Sequence, residues 1–568
     1  MADEYETDYF RGRLGSMKNE RTSFDTHWKE LAQFIRPRRG RFFITDTNRG
    51  DRRHQSIVHS RGTQAHKIAT SGMHAGIMSP ARPWFMLGTP DPDLMEFAPV
   101  SVWLFKVTHV LNEIFRQSNL YNMAPVMLGE EILFATGAML HVDDFEDVAR
   151  FYTATIGSYW LAQNHRLEID TFAREFQMTP LQMARKWGEN KLSATAKRLL
   201  DAKRGQGKDT WCPVTHFIEP SPDFNPRHPL GDRKAFRSVY FEPEAVGVDK
   251  EKFLDRGGFD DFPVYAPRWE VTGEDIYGTD CPAMTALGDI KGLQIKEKRK
   301  AQALDKSVSP PLKGPGNLRN VPISQLPGGA TLYDGDDTQA KLEPIYMVRP
   351  DWKGLAEDMR ATERLIDEAF HVDLFKPITQ MEGIQPRNQL DLSQRQQEAM
   401  LQLGPVLERQ HGDFLTKLID RTFNQCVRAN ILPEAPEELR GKPLKVTYIS
   451  TLAMAQKAVA AGGIDRLAGF VGGLVKAGLS DGKKFDGDQA IDEYGQIIGT
   501  PPRVIVPDDV VVARRQQEQK KAQMEQMAQM AQSGANTVKM LSDAKPDDSG
   551  DSVLKHLSDA AGRRARGR

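Results

Sequence analysis

The chain has 568 residues, and at about 100 to 200 residues per domain it is too long for a peptide or a lone small domain and leaves room for about three to five structural modules. Lys and Arg total 76 against 77 Asp and Glu, a formal net charge of -1. This excludes a polybasic coat whose overall field would pull it onto nucleic acid or an anionic membrane. Hydrophobic residues make up 39% and charged residues 27%, with a mean hydropathy of -0.51, a globular composition on the polar side that long helices or extended surfaces would produce.

The N-terminus begins acidic and has no apolar core of a secretory signal, so synthesis in a reducing cytosol is expected. From Tyr9 to Phe34 the apolar positions Leu14, Met17, Phe24, Trp28, Leu31 and Phe34 predict one or two amphipathic helices, stopped at Arg36-Pro37. After an Arg- and Gly-rich loop, Ile57, Ala65, Ile68, Ala69, Met73 and Ile77 predict a helix within 56–78. Residues 99–135, with Trp103, Val107, Leu111, Ile114 and Phe115 on a wide apolar face, predict more helix. The pattern then turns to short β-branched and aromatic runs, Ala138 to Val142, Phe151 to Ile156 and His165 to Phe172, which read as strands.

Residues 179–203 return to helix, with Pro180 in the first turn. From Asp209 to Pro267 there are eight prolines and strand candidates at Pro213 to Ile218, Phe236 to Phe241 and Val264 to Trp269. This reads as a compact β-rich insertion between two helices. The second of these, residues 282–305, opens with Pro282 and would run about 36 Å. A Pro/Gly-rich stretch leads to a helix over about 351–370, a loop with Pro377, Gly383 and Pro386, and a helix from Leu392 to Asn430 bent at Gly404-Pro405. Leu444 to Ile449 reads as a strand and Ala453 to Ala477 as small-residue helix. The Gln/Met-rich run beyond 512 is a helix whose Met524, Met527 and Met530 mark either a packing face or a solvated tail, and the last nineteen residues are expected to be disordered. The apolar stretch 467–475 is far short of the about 20 residues a membrane span needs, so no membrane partner is expected. The fold class is α+β, mainly α.

Chemistry-bearing motifs are weak. Gly205-Gln206-Gly207-Lys208-Asp209 has Ala202 where a phosphate loop needs its first glycine and Asp209 where it needs a hydroxyl. Gly478-Leu479-Ser480-Asp481-Gly482 follows a helix rather than a strand and reads as a helix-ending turn. His59, His66 and His74 are spaced about 11 to 12 Å apart along a helix, too far for one metal. Asp143-Asp144, Asp260-Asp261 and Asp336-Asp337 read as solvated turns rather than a two-metal site. Cys212, Cys281 and Cys426 form neither a disulfide framework nor a four-thiolate zinc site. No catalytic residue, metal or cofactor is predicted. The densest positive charge, Arg36, Arg38, Arg39 and Arg41 with Phe42-Phe43, continuing to Arg49, Arg52 and Arg53, would either hold phosphates or form an inter-subunit ion-pair surface.

Ordered blocks carry a resemblance. Pro37-Arg38-Arg39-Gly40-Arg41-Phe42, the small-residue run Ala65 to Gly76, and Ser79-Pro80-Ala81-Arg82-Pro83-Trp84-Phe85-Met86-Leu87 come first. Tyr277-Gly278, Pro282-Ala283-Met284, Asp289-Ile290-Lys291 and Pro310-Pro311-Leu312 follow, then Gly404-Pro405-Val406-Leu407-Glu408-Arg409, Ile419-Asp420-Arg421 and Ile431-Leu432-Pro433. Over most of residues 10–460 the chain resembles the portal, or head-to-tail connector, proteins of short-tailed, podovirus-type bacteriophages. It departs from that pattern at Gln389-Leu390-Asp391-Leu392-Ser393-Gln394, where the family carries a Thr-Ala-Thr-Glu-Val-like segment.

The resemblance implies a portal fold assembling as a ring of about twelve subunits, with wing, stem, clip and crown regions. The wing would combine residues 1–178 with 306–460, the stem 179–208 with 271–305, and the clip would be 209–270. Residues 461–512 would form the crown base and 513–568 a C-terminal helix and basic tail. A tunnel loop over about 373–389 would face DNA. Channel candidates are Lys291, Lys296, Lys298 and Lys300 with Gln380, Glu382, Gln385, Arg387 and Asn388. Arg36, Arg38, Arg39, Arg41, Arg52 and Arg53 are candidates for subunit or capsid contacts, leaving the bore with mixed or negative potential. The implied partners are other copies of the chain, the terminase large subunit, the major capsid protein and scaffold, tail adaptor proteins, and double-stranded DNA passing without sequence specificity. The implied location is the unique portal vertex of a virion. From the residues alone a tail-associated hydrolase or nuclease, and a tail or capsid scaffold protein without a DNA channel, remain open.

Overall fold

The computed structural model describes residues 6–42, 50–51, 54–80, 83–91, 94–95, 97–202, 205, 207–227, 233–245, 249–250, 252–314, 343–345, 351–375, 403–439, 441, 443–448, 464, 467–478, 484–498, 506 and 508–543. They fall into two compact units, one built from 1–88, 106–435 and 443–463, the other from 89–105, 436–442 and 464–568.

The first unit starts with α1 (Glu6–Phe34), a single helix that ends where Pro37 restricts the residue before it. Its buried positions Phe10, Leu14, Met17, Trp28 and Leu31 are those the periodicity predicts, with Phe24 partly buried on the Trp28 ring. α2 (Arg61–Ile77) follows, then β1 (Phe85–Gly88) and α3 (Ala98–Gln117), whose first turns belong to the second unit. The helix expected over 99–135 is divided. Ser118 and Asn119 separate α3 from α4 (Leu120–Phe134), and both Asn119 side-chain atoms are taken by the Phe151 backbone at 2.8 Å. An asparagine that pairs with a neighbouring strand in this way offers the backbone an alternative to helix.

β2 (Ala138–Asp144) and β3 (Val148–Ala154) form a hairpin, and β2 also pairs with β9 (Val264–Tyr265). β4 (Tyr159–Gln163), β5 (Ile169–Met178), β6 (Cys212–Pro220), β7 (Phe236–Phe241) and β8 (Phe253–Phe259) make an antiparallel sheet in sequence order. Its register places Trp160, Ala173, Phe217 and Val239 in one line across the strands. That line meets Phe10, Leu14 and Met17 of α1. The opposite face, carrying Val214, Tyr240 and Leu254, is covered by Met183, Trp187, Leu192 and Ala196. The segment 209–270 is therefore not a self-contained insertion: β6 extends a sheet begun by β4 and β5, and β9 returns to β2.

The single helix expected over 179–203 is also divided. α5 (Pro180–Trp187) has a capping box between Thr179 and Gln182 and stops at Gly188. α6 (Ala194–Leu200) is capped separately by Ser193. By contrast, α7 (Pro282–Val308) is continuous for 27 residues with Pro282 in its first turn, as the sequence predicts. Its approach is fixed by Tyr277, fully buried and accepting the Leu161 N–H at 3.0 Å, and by Gly278, where any Cβ would overlap the Ala135 carbonyl.

Two short strands, β10 (Leu312–Lys313) and β11 (Glu343–Pro344), pair with each other. Then α8 (Trp352–Ala369), capped by Asp351 and packed along α7, leads into α9 (Val372–Phe375). Beyond 402 the chain resumes as α10 (Gly404–Gln410), a π turn (His411–Leu415) and α11 (Thr416–Arg428). Pro405 sits in the first turn of α10, where its missing N–H costs nothing; residues 392–402, where the helix was expected to begin, lie outside the described residues, and a π turn follows α10. β12 (Lys445–Tyr448) closes against β1.

In the second unit a helix over 467–476 ends at Gly478, whose φ of +69° supports the helix-ending reading of that Gly-rich string; Ser480 lies outside the described residues. α12 (Gly487–Ile498) and α13 (Asp508–Asp543) are joined by a two-pronged ion pair from Arg515 to Asp488 at 2.6 and 2.8 Å. Met524, Met527 and Met530 on α13 are about 70% exposed. No helix is long and apolar enough to cross a membrane, and no His/Cys/Asp/Glu group suited to a metal ion occurs, among the described residues.

Candidate functional site

The basic run after α1 is stitched into the same subunit. Arg41 N–H donates to the Ile156 carbonyl at 2.8 Å, and Gly40 N–H to Thr155 Oγ1 at 3.0 Å. Arg39 reaches α4, donating from Nη1 to the Val126 carbonyl at 2.8 Å and to Glu130 Oε1 at 3.2 Å. Glu130 Oε2 accepts from Thr155 Oγ1 and Ile156 N–H at 3.0 and 3.1 Å. Burial pushes the Glu130 carboxyl above its ordinary range, opposed chiefly by the Arg39 charge. Arg36 is lowered by burial and then by Arg39. A Cβ at Gly129 would lie 2.8 Å from Arg39 Nη2, so the guanidinium occupies the space that glycine leaves. His66 donates from Nε2 to the Gly129 carbonyl at 2.8 Å, and burial drops it to about 3. Arg39, expected at a subunit or capsid contact, is partly buried by these bonds within the subunit. Arg38 and Arg41 are exposed, and Arg52 and Arg53 lie outside the described residues.

The lysines of α7, expected to line a channel, have partners within the subunit. Lys291 Nζ pairs with Glu30 at 2.8 Å. Lys296 Nζ meets Asp358 at 2.7 Å and donates to Thr362 Oγ1 at 2.9 Å, tying α7 to α8. Lys300 lies 3.4 Å from Glu297 one turn away, and Lys298 is exposed. Gln294 deepens this junction: its Oε1 accepts from Val58 and His59 N–H at 2.7 Å, and its Nε2 donates to the His59 carbonyl at 2.9 Å. Positive charge on α7 is therefore partly used to hold α1 and α8. Gln380, Glu382, Gln385, Arg387 and Asn388 lie outside the described residues, as does most of the loop expected over 373–389.

A third cluster went unnoticed in the sequence. The π turn and α11 lie against α4, β2 and β9 through buried polar groups. Glu131 accepts from Gln410 Nε2, while its Oε2 has no hydrogen-bond partner. Burial pushes the Glu131 carboxyl up to about 8, and Asp413 adds to the rise. Arg421 donates to Asp143 Oδ1 at 2.9 Å and to the Asp261 carbonyl at 3.0 Å. His141 Nδ1 lies 2.6 Å from Tyr265 Oη, and burial holds this imidazole well below its usual range. Two adjacent glutamates inside the apolar run Met127-Leu128-Gly129-Glu130-Glu131-Ile132-Leu133-Phe134 were the available signal. Asp143 and Asp261, read from the sequence as parts of solvated turns, are instead engaged by arginine; Asp336 and Asp337 lie outside the described residues. Cys281 and Cys426 are free and buried, raised to about 12 and about 11 by burial, which suits inert thiols. All three clusters join helices and strands far apart in the chain, so each acts as a joint within the subunit.

The chain belongs to the bacteriophage head to tail connecting protein family, whose sequence model matches residues 7–506. It is 42% identical over 561 residues to the portal protein of Salmonella phage epsilon15, covering 98% of this chain and 99% of that protein. It is 38% identical over 544 residues to the probable portal protein of Bordetella phage BPP-1, covering 95% and 96%. Among solved structures it is similar to a chain from the neck of an empty gene transfer agent particle computed with C6 symmetry. That match has 12% identity, a TM-score of 0.37 and coverage of 77% of this chain and 90% of that one.

Proposed function

We propose that this chain is the portal subunit of a short-tailed phage: about twelve copies form a ring at one capsid vertex, through which DNA enters during packaging and leaves during ejection, and to which the tail attaches. The observation that carries this reading is near-complete collinearity with two relatives named portal protein and probable portal protein. The protein acts as conduit and dock rather than as an enzyme. The terminase large subunit supplies the energy of translocation, in keeping with the imperfect phosphate-loop string at Gly205. Capsid protein with scaffold, and tail adaptor proteins, are the other partners.

In this reading α7 is the long stem helix, and α5 with α6 forms the shorter side of the stem. The sheet β4–β8 supplies the clip, the remaining helices of the first unit the wing, and the segment beyond 460 the crown. The tunnel loop follows α9. Lys298, exposed on α7, remains a channel candidate; Lys291 and Lys296 are assigned instead to the joint between α7, α1 and α8.

Negative-stain electron microscopy of the purified full chain tests the proposal. Closed rings of about twelve subunits, with a bore that admits duplex DNA, are expected. Monomers, filaments or solid discs at every concentration would overturn it. Robust turnover of DNA or cell wall with Mg²⁺ would point instead to a hydrolase.

A further inference from the structure

The β2–β3 hairpin ends in a tip that nothing in the subunit covers. Phe145, at 111% relative exposure, stands fully in solvent, where a large aromatic side chain gives up the burial that normally stabilises it. The tip is preformed: Asp144 Oδ1 accepts from Glu146 N–H at 2.8 Å and from Asp147 N–H at 3.1 Å. These bonds hold the Asp144 carboxyl below its ordinary range, so it is ionised at neutral pH. Asp143 pairs with Arg421 and Asp147 with Arg150, whereas Asp144 and Glu146 have no ion-pair partner among the described residues. The tip therefore offers one aromatic ring flanked by two carboxylates without an ion pair among the described residues, although the Arg150 charge reaches Asp144.

The face of the β4–β8 sheet turned toward α5 presents the complement. Arg174 lies 4.5 Å from the Phe176 ring centroid and 5.7 Å from that of Tyr152, and Lys186 Nζ lies 4.9 Å from Trp187 and 5.0 Å from Tyr240. Neither cation has a carboxylate within ion-pair distance among the described residues. Asp255, whose field reaches Lys186, pairs with Lys191 at 3.5 Å. Burial lowers both cations, and the Arg174 charge lowers Lys186 further. Arg174 is hydrogen-bonded to Tyr240, but its Nε is buried without a hydrogen bond, and so is Nδ1 of the fully buried His216. Yet Lys186 itself is exposed and Tyr152 is 44% exposed, so the shelf is open to an incoming group.

The tip of one subunit cannot reach its own shelf. Tyr152 pairs with Leu140, four residues along a rigid strand from Val148, roughly 13 Å from the tip. We propose that the Asp144–Phe145–Glu146 tip of one copy docks on the Arg174–Lys186 aromatic shelf of the next copy, Phe145 covering the cations while the two carboxylates neutralise them. A contact between two different patches of one chain is heterologous, and repeated it closes into a ring or runs on as a fibre. The inference rests on the ring reading above and names a contact within it.

The test uses the full-length chain, with assembly followed by analytical ultracentrifugation over a range of protein concentrations. Four variants are compared: Glu146→Lys, Lys186→Glu, the two combined, and Phe145→Ala. All three side chains are exposed, so circular dichroism and melting of each variant should match the parent. Each single change is expected to raise the concentration for half-assembly by about tenfold or more, and the combined charge exchange to restore it to within about threefold. Single variants that assemble like the parent would overturn the proposal. So would singles that weaken assembly without rescue in the combination, since tip and shelf would then not meet. If Lys186→Glu lowers binding of duplex DNA while assembly is intact, the shelf serves a nucleic acid instead. A parent chain that never assembles defeats the ring reading itself, a different result from any of these.

Discussion

Replacing Glu131 by glutamine isolates the energetic consequence of a buried carboxyl. Its ordinary value of 4.5 rises to about 8 in the folded chain, because burial disfavours the charged form and Asp413 repels it. The folded state therefore keeps a proton that the unfolded chain releases. With the folded value above the unfolded one, a carboxyl contributes no penalty in acid, a growing penalty as pH climbs from about 4.5 to 8, and a constant one above. Each pH unit in that window is worth about 1.4 kcal/mol, so at pH 7 the wild-type residue costs roughly 3 kcal/mol relative to a neutral group of the same shape. Glutamine is that group, and its side-chain oxygen accepts from Gln410 as the carboxyl does. The expected outcome is that Glu131→Gln matches the parent near pH 4.5 and exceeds it increasingly up to pH 8. Urea denaturation of the two full-length chains at intervals between pH 4.5 and 9, with the transition followed by tryptophan fluorescence, measures the difference. Parallel stability curves would refute the reasoning, because they would mean that Glu131 titrates alike in both states.

Arg39→Ala removes the guanidinium but leaves Glu130 buried against Thr155 and Ile156, and should cost about 3 to 5 kcal/mol in urea denaturation; Arg39→Ala with Glu130→Leu should recover much of that loss. His66 behaves oppositely to Glu131. Its folded value of about 3 lies below the ordinary 6.5, so its contribution is complete above pH 6.5 and lost as pH falls toward 3. The loss should be roughly 2 kcal/mol by pH 5, and His66→Gln should flatten that limb of the stability profile. Lys296→Met should leave the salt dependence of duplex-DNA binding by assembled protein unchanged, since Asp358 and Thr362 already hold its ammonium. A slope shallower by about 0.9 per phosphate contact removed would place Lys296 on DNA instead.

Much of the helical framework was legible because it rests on local signals. Trp28 and Leu31 in α1, Pro282 opening α7 and Asp351 capping α8 all mark structure through periodicity, fixed φ or a short polar side chain. Two local signals were overrun by periodicity, since Gly188 and Ser193 end one helix and cap the next. The rest of what escaped the sequence was non-local. β4 and β8 lie at the sheet edges, and their strand character follows from partners on β5 and β7 rather than from a distinct alternation of their own. The lysines of α7 have the spacing of a solvated face, but Lys291 finds Glu30 across 261 positions of sequence. Only the folded chain reveals which cations are already engaged.

The same distinction changes what a net charge of -1 means. Near-neutrality over the whole chain could conceal a strongly basic surface balanced by acids elsewhere, and such a surface lining a conduit would grip DNA, since each neutralised phosphate releases counterions and tightens binding. Among the described residues several of these charges instead meet one another across the fold: Arg39 with Glu130, Arg61 with Asp367, Lys291 with Glu30, Lys296 with Asp358 and Arg421 with Asp143. In each pair at least one member comes from a helix, and the partner belongs to an element distant in sequence. A cation already paired with a carboxylate must give up that pair before it binds a phosphate, a cost that is largest where both members are buried, as in Arg39 with Glu130, and small where one is exposed, as in Lys296 with Asp358.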